Sequence, residues 1–264
     1  MTTPTTRRML NKVPEVTVYF WIIKILCTTV GESLADYINE TLGFGLTNTT
    51  LAFTAALAVV LVFQFRETKY VPGIYWLVVV LISVVGTLVT DSLTDATGVP
   101  LWLSTTVASV LLAVVFGVWY AREQTLSIHS IVTTPRESFY WLTVLVTFAL
   151  GTASGDWTLE LTGFGPGTSA LLPAGLIALV FLAWKVGAGP VLSFWIAYIL
   201  TRPLGANLGD LLGADPADGG LGLGTLGTSL IFLGAILASV LYLAVTKKDR
   251  TELVYHGDEA VAAS

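Results

Sequence analysis

The chain has 264 residues, of which 54% are hydrophobic and 12% charged, with a formal net charge of −5 and a mean hydropathy of +0.78. Soluble domains carry about a quarter charged residues, so this chain lacks the polar surface to cover itself in water, and the bilayer is its expected solvent. A single cysteine, Cys27, excludes an internal disulfide or a cysteine-rich metal site, and nothing in the charge balance points to a nucleic-acid partner.

The first 14 residues carry Arg7, Arg8 and Lys12 ahead of an apolar stretch that begins near Val16. No small-x-small cleavage pattern follows, so the stretch reads as a retained first span and not as a removed signal. Apolar windows of about 20 residues, the length that crosses ~30 Å of hydrocarbon, occur at 16–38, 46–66, 73–94, 100–121, 139–159, 167–186, 190–212 and 222–246. The expected fold class is therefore an all-α membrane protein with eight transmembrane helices in one domain over 15–246. The tail, 247–264, is polar and expected to be disordered.

Arg7, Arg8, Lys12, Arg66, Lys69, Arg122, Arg136, Lys185, Lys247, Lys248 and Arg250 all fall on the side shared by the termini and the even-to-odd loops. Cytoplasmic loops retain Lys and Arg, so both termini are expected in the cytoplasm of a bacterial inner-membrane protein. Asp36, Glu40, Asp91, Asp95, Asp156, Glu160, Asp210, Asp215 and Asp218 gather at the opposite helix ends and loops, which makes the outer mouth anionic.

An aromatic pair recurs along the chain as Phe20-Trp21, Tyr75-Trp76, Tyr140-Trp141 and Phe194-Trp195. Ten residues after each tryptophan comes a glycine (Gly31, Gly86, Gly151, Gly205), and five further on an aspartate (Asp36, Asp91, Asp156, Asp210). This periodicity marks four two-helix repeats, at about 15–70, 71–122, 137–187 and 188–246. With an even number of helices each, the units share one orientation across the membrane and are parallel repeats. The glycines are expected to permit close helix approach, and the tryptophans to anchor at the headgroups, with stacking or cation–π roles as the sharper alternative.

Near offsets +3, +7, +11 and +15 from each tryptophan one helix face carries the polar residues. It reads Lys24, Thr28, Glu32, Asp36; then Val79, Ser83, Thr87, Asp91; then Val144, Thr147, Thr152, Asp156; then Tyr198, Arg202, Ala206, Asp210. The second and fourth spans are nearly all apolar, so odd helices are expected to form an inner ring and even helices an outer, lipid-facing shell.

Ionisable groups inside spans are costly and mark function by default, and Lys24, Glu32 and Arg202 are the deepest here. Arg202 precedes Pro203, where a missing backbone hydrogen bond predicts a kinked or broken helix. With Asp36, Asp91, Asp156 and Asp210 these residues form the expected ion path, flanked by the secondary acids Glu40, Asp95 and Glu160. One reading is a structural network in which Lys24 and Arg202 neutralise Glu32 and one or more aspartates; the other is a cation-binding or proton-relay site. Oxygen-rich donors suit hard or borderline cations such as Mg²⁺, Mn²⁺ or H⁺, whereas His129 and His256 lie in a loop and in the tail.

The expected function is thus a transporter or channel for a small cation, a divalent metal or a proton-coupled solute, with the lipid bilayer and that cation as partners. The alternative is a non-transporting scaffold or sensor. No cofactor is expected, and no enzyme: there is no Gly-x-Ser-x-Gly, phosphate loop or Cys-His pair. The metal's identity and the oligomeric state do not follow from the residues.

Segments Lys12–Thr17 (KVPEVT), Lys24–Asp36 (KILCTTVGESLAD), Leu150–Trp157 (LGTASGDW) and Thr201–Asp210 (TRPLGANLGD) carry a resemblance over residues 13–247. The chain resembles a family of bacterial membrane-anchored proteins built from a tandem two-helix repeat of unknown function. That resemblance implies membrane location and repeat architecture and supplies no activity.

Overall fold

A computed structural model describes residues 11–250. Arg7, Arg8, His256 and the tail beyond Arg250 lie outside the described residues. Eight helices follow one another: α1 (Val18–Thr41), α2 (Leu46–Arg66), α3 (Pro72–Thr94), α4 (Leu101–Glu123), α5 (Thr134–Thr162), α6 (Pro166–Lys185), α7 (Pro190–Gly213) and α8 (Gly224–Thr246). Local chemistry starts and stops them. Thr17 and Thr133 cap α1 and α5 by accepting from the backbone N–H of Phe20 and Arg136. Pro72, Pro166 and Pro190 open α3, α6 and α7, where a missing N–H costs nothing. Gly163, at a φ of 62°, ends α5 in the left-handed conformation.

Seven of these helices are long and apolar enough to cross a bilayer, the mark of a multi-pass membrane protein. The exception is α7, which is long enough but diluted by Arg202, Asn207, Asp210 and its glycines and prolines. Pro203 does not break it: α7 runs continuously from Pro190 to Gly213.

The odd helices form a closed ring in which α1 packs on α3, α3 on α5, α5 on α7 and α7 on α1. Each even helix covers the seam outside: α2 on α3, α4 on α5, α6 on α7 and α8 on α1. Burial follows the same division, reaching 56–72% of the apolar windows in α1, α3 and α5 against 11–28% in α2, α4, α6 and α8. The inner position of the odd helices and the outer position of the even ones are as expected.

Two cyclic sets of contacts close the ring. The aromatic residue before each tryptophan meets the tryptophan of the next copy: Phe20–Trp76 at 5.6 Å, Tyr75–Trp141 at 5.3 Å, Tyr140–Trp195 at 6.2 Å, and Phe194 back to Trp21 at 5.6 Å. Ten residues along, each glycine faces the residue at offset +7 of the next copy: Gly31 meets Ser83, Gly86 meets Phe148, Gly151 meets Arg202, and Gly205 meets Thr28. A Cβ on Gly86 would lie 2.7 Å from Cβ of Phe148, and one on Gly31 2.6 Å from Cβ of Ser83. Only glycine lets the backbones come this close, and such contacts replace the hydrophobic drive that is absent between helices in lipid.

Trp76, Trp141 and Trp195 are consequently buried, and Trp21 half-buried. The headgroup-anchor reading is corrected: the tryptophans pack at a tilt against the ring of the preceding copy, each filling the space beside its neighbour's aromatic. At the start of the tail Asp249 is buried and accepts from Tyr70 Oη at 2.6 Å, while Lys247 and Lys248 are exposed. Burial pushes the Tyr70 hydroxyl well above its usual range and raises Asp249.

Gly86→Leu is expected to cost about 1–3 kcal/mol through overpacking, read as a lower melting temperature of the purified protein. Gly175→Ala, whose added Cβ meets nothing, is expected to leave that temperature unchanged or raise it. Equal melting of the two variants would contradict the close-approach role.

Candidate functional site

Offset +3 from the tryptophans supplies one buried layer of the ring: Lys24, Val79, Val144 and Tyr198. Offset +7 supplies the next: Thr28, Ser83, Phe148 and Arg202, all buried. The third copy thus places Phe148 on the inner face, and the expected Thr147 turns aside to donate to Val144 O at 2.7 Å. Offset +11 brings Glu32 level with Thr87, Thr152 and Ala206. Successive layers are ~6 Å apart at helical rise.

Buried Arg202 and half-buried Glu32 form an ion pair, with Nη2 2.5 Å from Oε2. Arg202 Nη2 also donates to Thr87 Oγ1, and Thr87 Oγ1 lies 3.3 Å from Glu32 Oε2. Arg202 Nη1 reaches Thr28 O at 3.5 Å. The pair therefore ties α1, α3 and α7 together across the ring. Pro203 places its ring against Gly151 and Gly155 of α5, so the TRP segment wedges α7 onto α5 while its arginine points inward.

Lys24 departs from expectation. It does not share in neutralising Glu32 and the aspartates: among the described residues its Nζ has no hydrogen-bond partner, and it lies 3.7 Å from the centroid of Phe148 and 4.2 Å from that of Tyr198. The reason is reach: Glu32 stands eight residues along the same helix, ~12 Å away, and Arg202 already occupies it.

Beyond Glu32 the ring opens into a polar chamber of about 280 Å³. Glu32, Asp36, Asp91 and Asp156 line it, with Glu40, Asp95, Asn39 and Thr94 toward the rim. Asp210 joins through a tighter group, in which carboxylate oxygens of Glu32, Asp36 and Asp210 lie within 4.8 Å of one another. Among the described residues no ion pair engages any of the four repeated aspartates. Of the secondary acids, Glu40 and Asp95 reach the chamber, while Glu160 is exposed and outside its lining. The α1 chain bears Glu40 on a π-helical turn, Tyr37–Thr41, a local widening common at functional sites. Three close carboxylate oxygens on separate turns and helices can hold a hard cation or share a proton.

The opposite end holds a network the sequence reading missed. Lys12 Nζ lies 2.5 Å from Glu137 Oε2, Gln64 Nε2 donates to Glu137 Oε1 at 2.9 Å, and Lys12 also donates to Phe65 O at 3.2 Å. All three side chains are buried. Lys12 looks like an ordinary flanking charge in the sequence, and only its place in the KVPEVT segment hinted otherwise. The chain from Asn11 to Thr17 crosses this end as a strap, pairing backbone groups with Tyr70, Ile131 and Asp249.

The family described as Repeat of Unknown Function (DUF347) matches at residues 19–70, 74–125, 139–187 and 193–249. The chain belongs to this family, with four copies of its repeat, as the resemblance implied. No curated protein and no solved structure matches the chain.

Removing one partner of the Arg202–Glu32 pair strands a buried charge, so Glu32→Gln is expected to cost about 3–5 kcal/mol. Set against Glu32→Leu and Arg202→Met alone, the double variant is expected to recover most of that loss in melting experiments. Additive losses in this cycle would show no coupling between the two.

Proposed function

We propose that this chain is a multi-pass protein of a bacterial inner membrane that passes a small cation through its inner ring, as a secondary transporter or channel. In this reading all eight helices cross the bilayer, α7 included, because its polar face is screened by α1, α5 and the even helices. The four hairpins are like-oriented, related by an axis along the membrane normal. Basic residues near the tryptophan end (Lys12, Arg66, Lys69, Arg122, Arg136, Lys185, Lys247, Lys248 and Arg250) put that end and both termini in the cytoplasm. The chamber then faces outward.

The observation that carries the reading is the set of repeated aspartates around a cavity, none of them ion-paired among the described residues, with Asp36 and Asp210 converging on the Arg202-paired Glu32. A dry structural network would pair them. Like charges held this close repel one another unless a cation or a proton intervenes, and oxygen donors favour Mg²⁺, Mn²⁺, Ca²⁺ or H⁺. Glu32 is the pivot, since its present partner Arg202 can be exchanged for the arriving cation. The buried Arg202–Glu32–Thr87 contacts favour the alternative, a scaffold or sensor held in register by charge, and the two readings part at the aspartates.

In the transport reading, Mn²⁺ binding to the full-length protein in nanodiscs, followed by electron paramagnetic resonance, weakens at least tenfold in Asp36→Asn and in Asp210→Asn. Glu160→Gln leaves it unchanged. A deletion strain has altered cellular metal content that Asp156→Asn fails to restore. Wild-type protein that binds no divalent cation, together with full rescue by these variants, would leave the scaffold reading. Fusing a reporter active only in the cytoplasm after Arg250 gives signal; a silent fusion would reverse the orientation.

A further inference from the structure

We propose that Lys24 is the plug of the path below the chamber, a tethered ammonium that bars cations from the tryptophan half of the ring until it moves aside. This rests on the cation-path reading above and adds where and by what that path is closed. Lys24 lies on α1, and the ring to which its Nζ is closest, Phe148, lies on α5. In the ring α1 packs on α3 and α7, so α5 stands opposite, and the side chain crosses the axis to reach it. Tyr198 of α7 closes the third side at 4.2 Å. The remaining members of its layer, Val79 and Val144, are fully buried.

The chemistry of the partners separates this lysine from the other buried cations. Lys12 and Arg202 each hold a carboxylate at 2.5 Å, whereas among the described residues Lys24 holds none and its nitrogen makes no hydrogen bond. A lysine kept only to stitch helices would have been given an acid, since an unpaired buried charge is otherwise a liability. Aromatic faces retain an ammonium without the directional bonds that would lock it. The charge sequence along the axis agrees with a barrier: acids down to Glu32, then Arg202, then Lys24, and among the described residues no further buried carboxylate until Glu137 at the far end. One layer further on, the Tyr75 and Tyr140 hydroxyls share a hydrogen bond of 2.5 Å.

The protein carries its own reporter. Cys27, the sole cysteine, is buried one turn along α1 from Lys24. Full-length protein is reconstituted into phosphatidylcholine–phosphatidylglycerol vesicles enclosing a dye quenched by Mn²⁺, and exposed to a cationic methanethiosulfonate reagent. In wild type and in Lys24→Arg, Cys27 resists labelling and Mn²⁺ entry is slow. In Lys24→Ala, and in Lys24→Met, which keeps the side chain's length and packing, labelling and Mn²⁺ entry each rise at least tenfold. An anionic reagent of the same size gains less, because it must pass the acidic chamber. Unchanged labelling in both uncharged variants, with melting temperatures near wild type, overturns the plug. Faster labelling without Mn²⁺ entry keeps the plug and overturns the cation path, so the two failures are told apart.

Discussion

The close approach of each conserved-offset glycine to the next copy is the constraint on which the rest of the molecule depends. Four helices can surround an axis tightly only if each presents a flat spot where its neighbour's side chain must enter, and Gly31, Gly86, Gly151 and Gly205 are those spots. The aromatic contacts ten residues earlier set the same neighbour order at the tryptophan end. Together they define a ring that runs through the copies in chain order and closes from the fourth to the first. Even helices then need only an apolar outer surface, which is what α2 and α4 offer.

On this near-symmetric frame the interior chemistry is unequal. Offset +15 is aspartate in all four copies, whereas offset +3 is Lys, Val, Val and Tyr, and offset +7 is Thr, Ser, Phe and Arg. A symmetric centre would place four like groups on one axis, and four cations or four acids in a dry space would repel. Divergence among the copies relieves this by letting Arg202 answer Glu32 and by surrounding Lys24 with rings. The rim is wider and wetter, and there four equal aspartates stand half-buried. The repeat thus supplies the geometry, and residues that differ between copies supply the charges that break its symmetry.

The pairing at the tryptophan end has a different purpose. Glu137 collects Lys12, Gln64 and the Trp141 indole, so the segment preceding α1 is fastened beneath the ring by a charge with no exposure to water. This fastens the strap at that end, while the acidic chamber opens at the other.

Sequence alone determined the helices, their approximate limits, the four repeats and the inner or outer position of each span, because apolar runs and fixed offsets are local properties that any packing must respect. It also singled out Lys24, Glu32, Arg202 and the four aspartates, since charge inside an apolar run is visible without coordinates. Tertiary structure alone decided the partners. Which carboxylate meets Arg202, why Lys24 faces Phe148 and Tyr198 instead of an acid, why the tryptophans turn inward, and how Lys12 reaches Glu137 125 residues away all depend on the order of neighbours around the ring. That order is a nonlocal fact: a helix face shows which side chains point inward, and only the identity of the opposing helix settles what they find there.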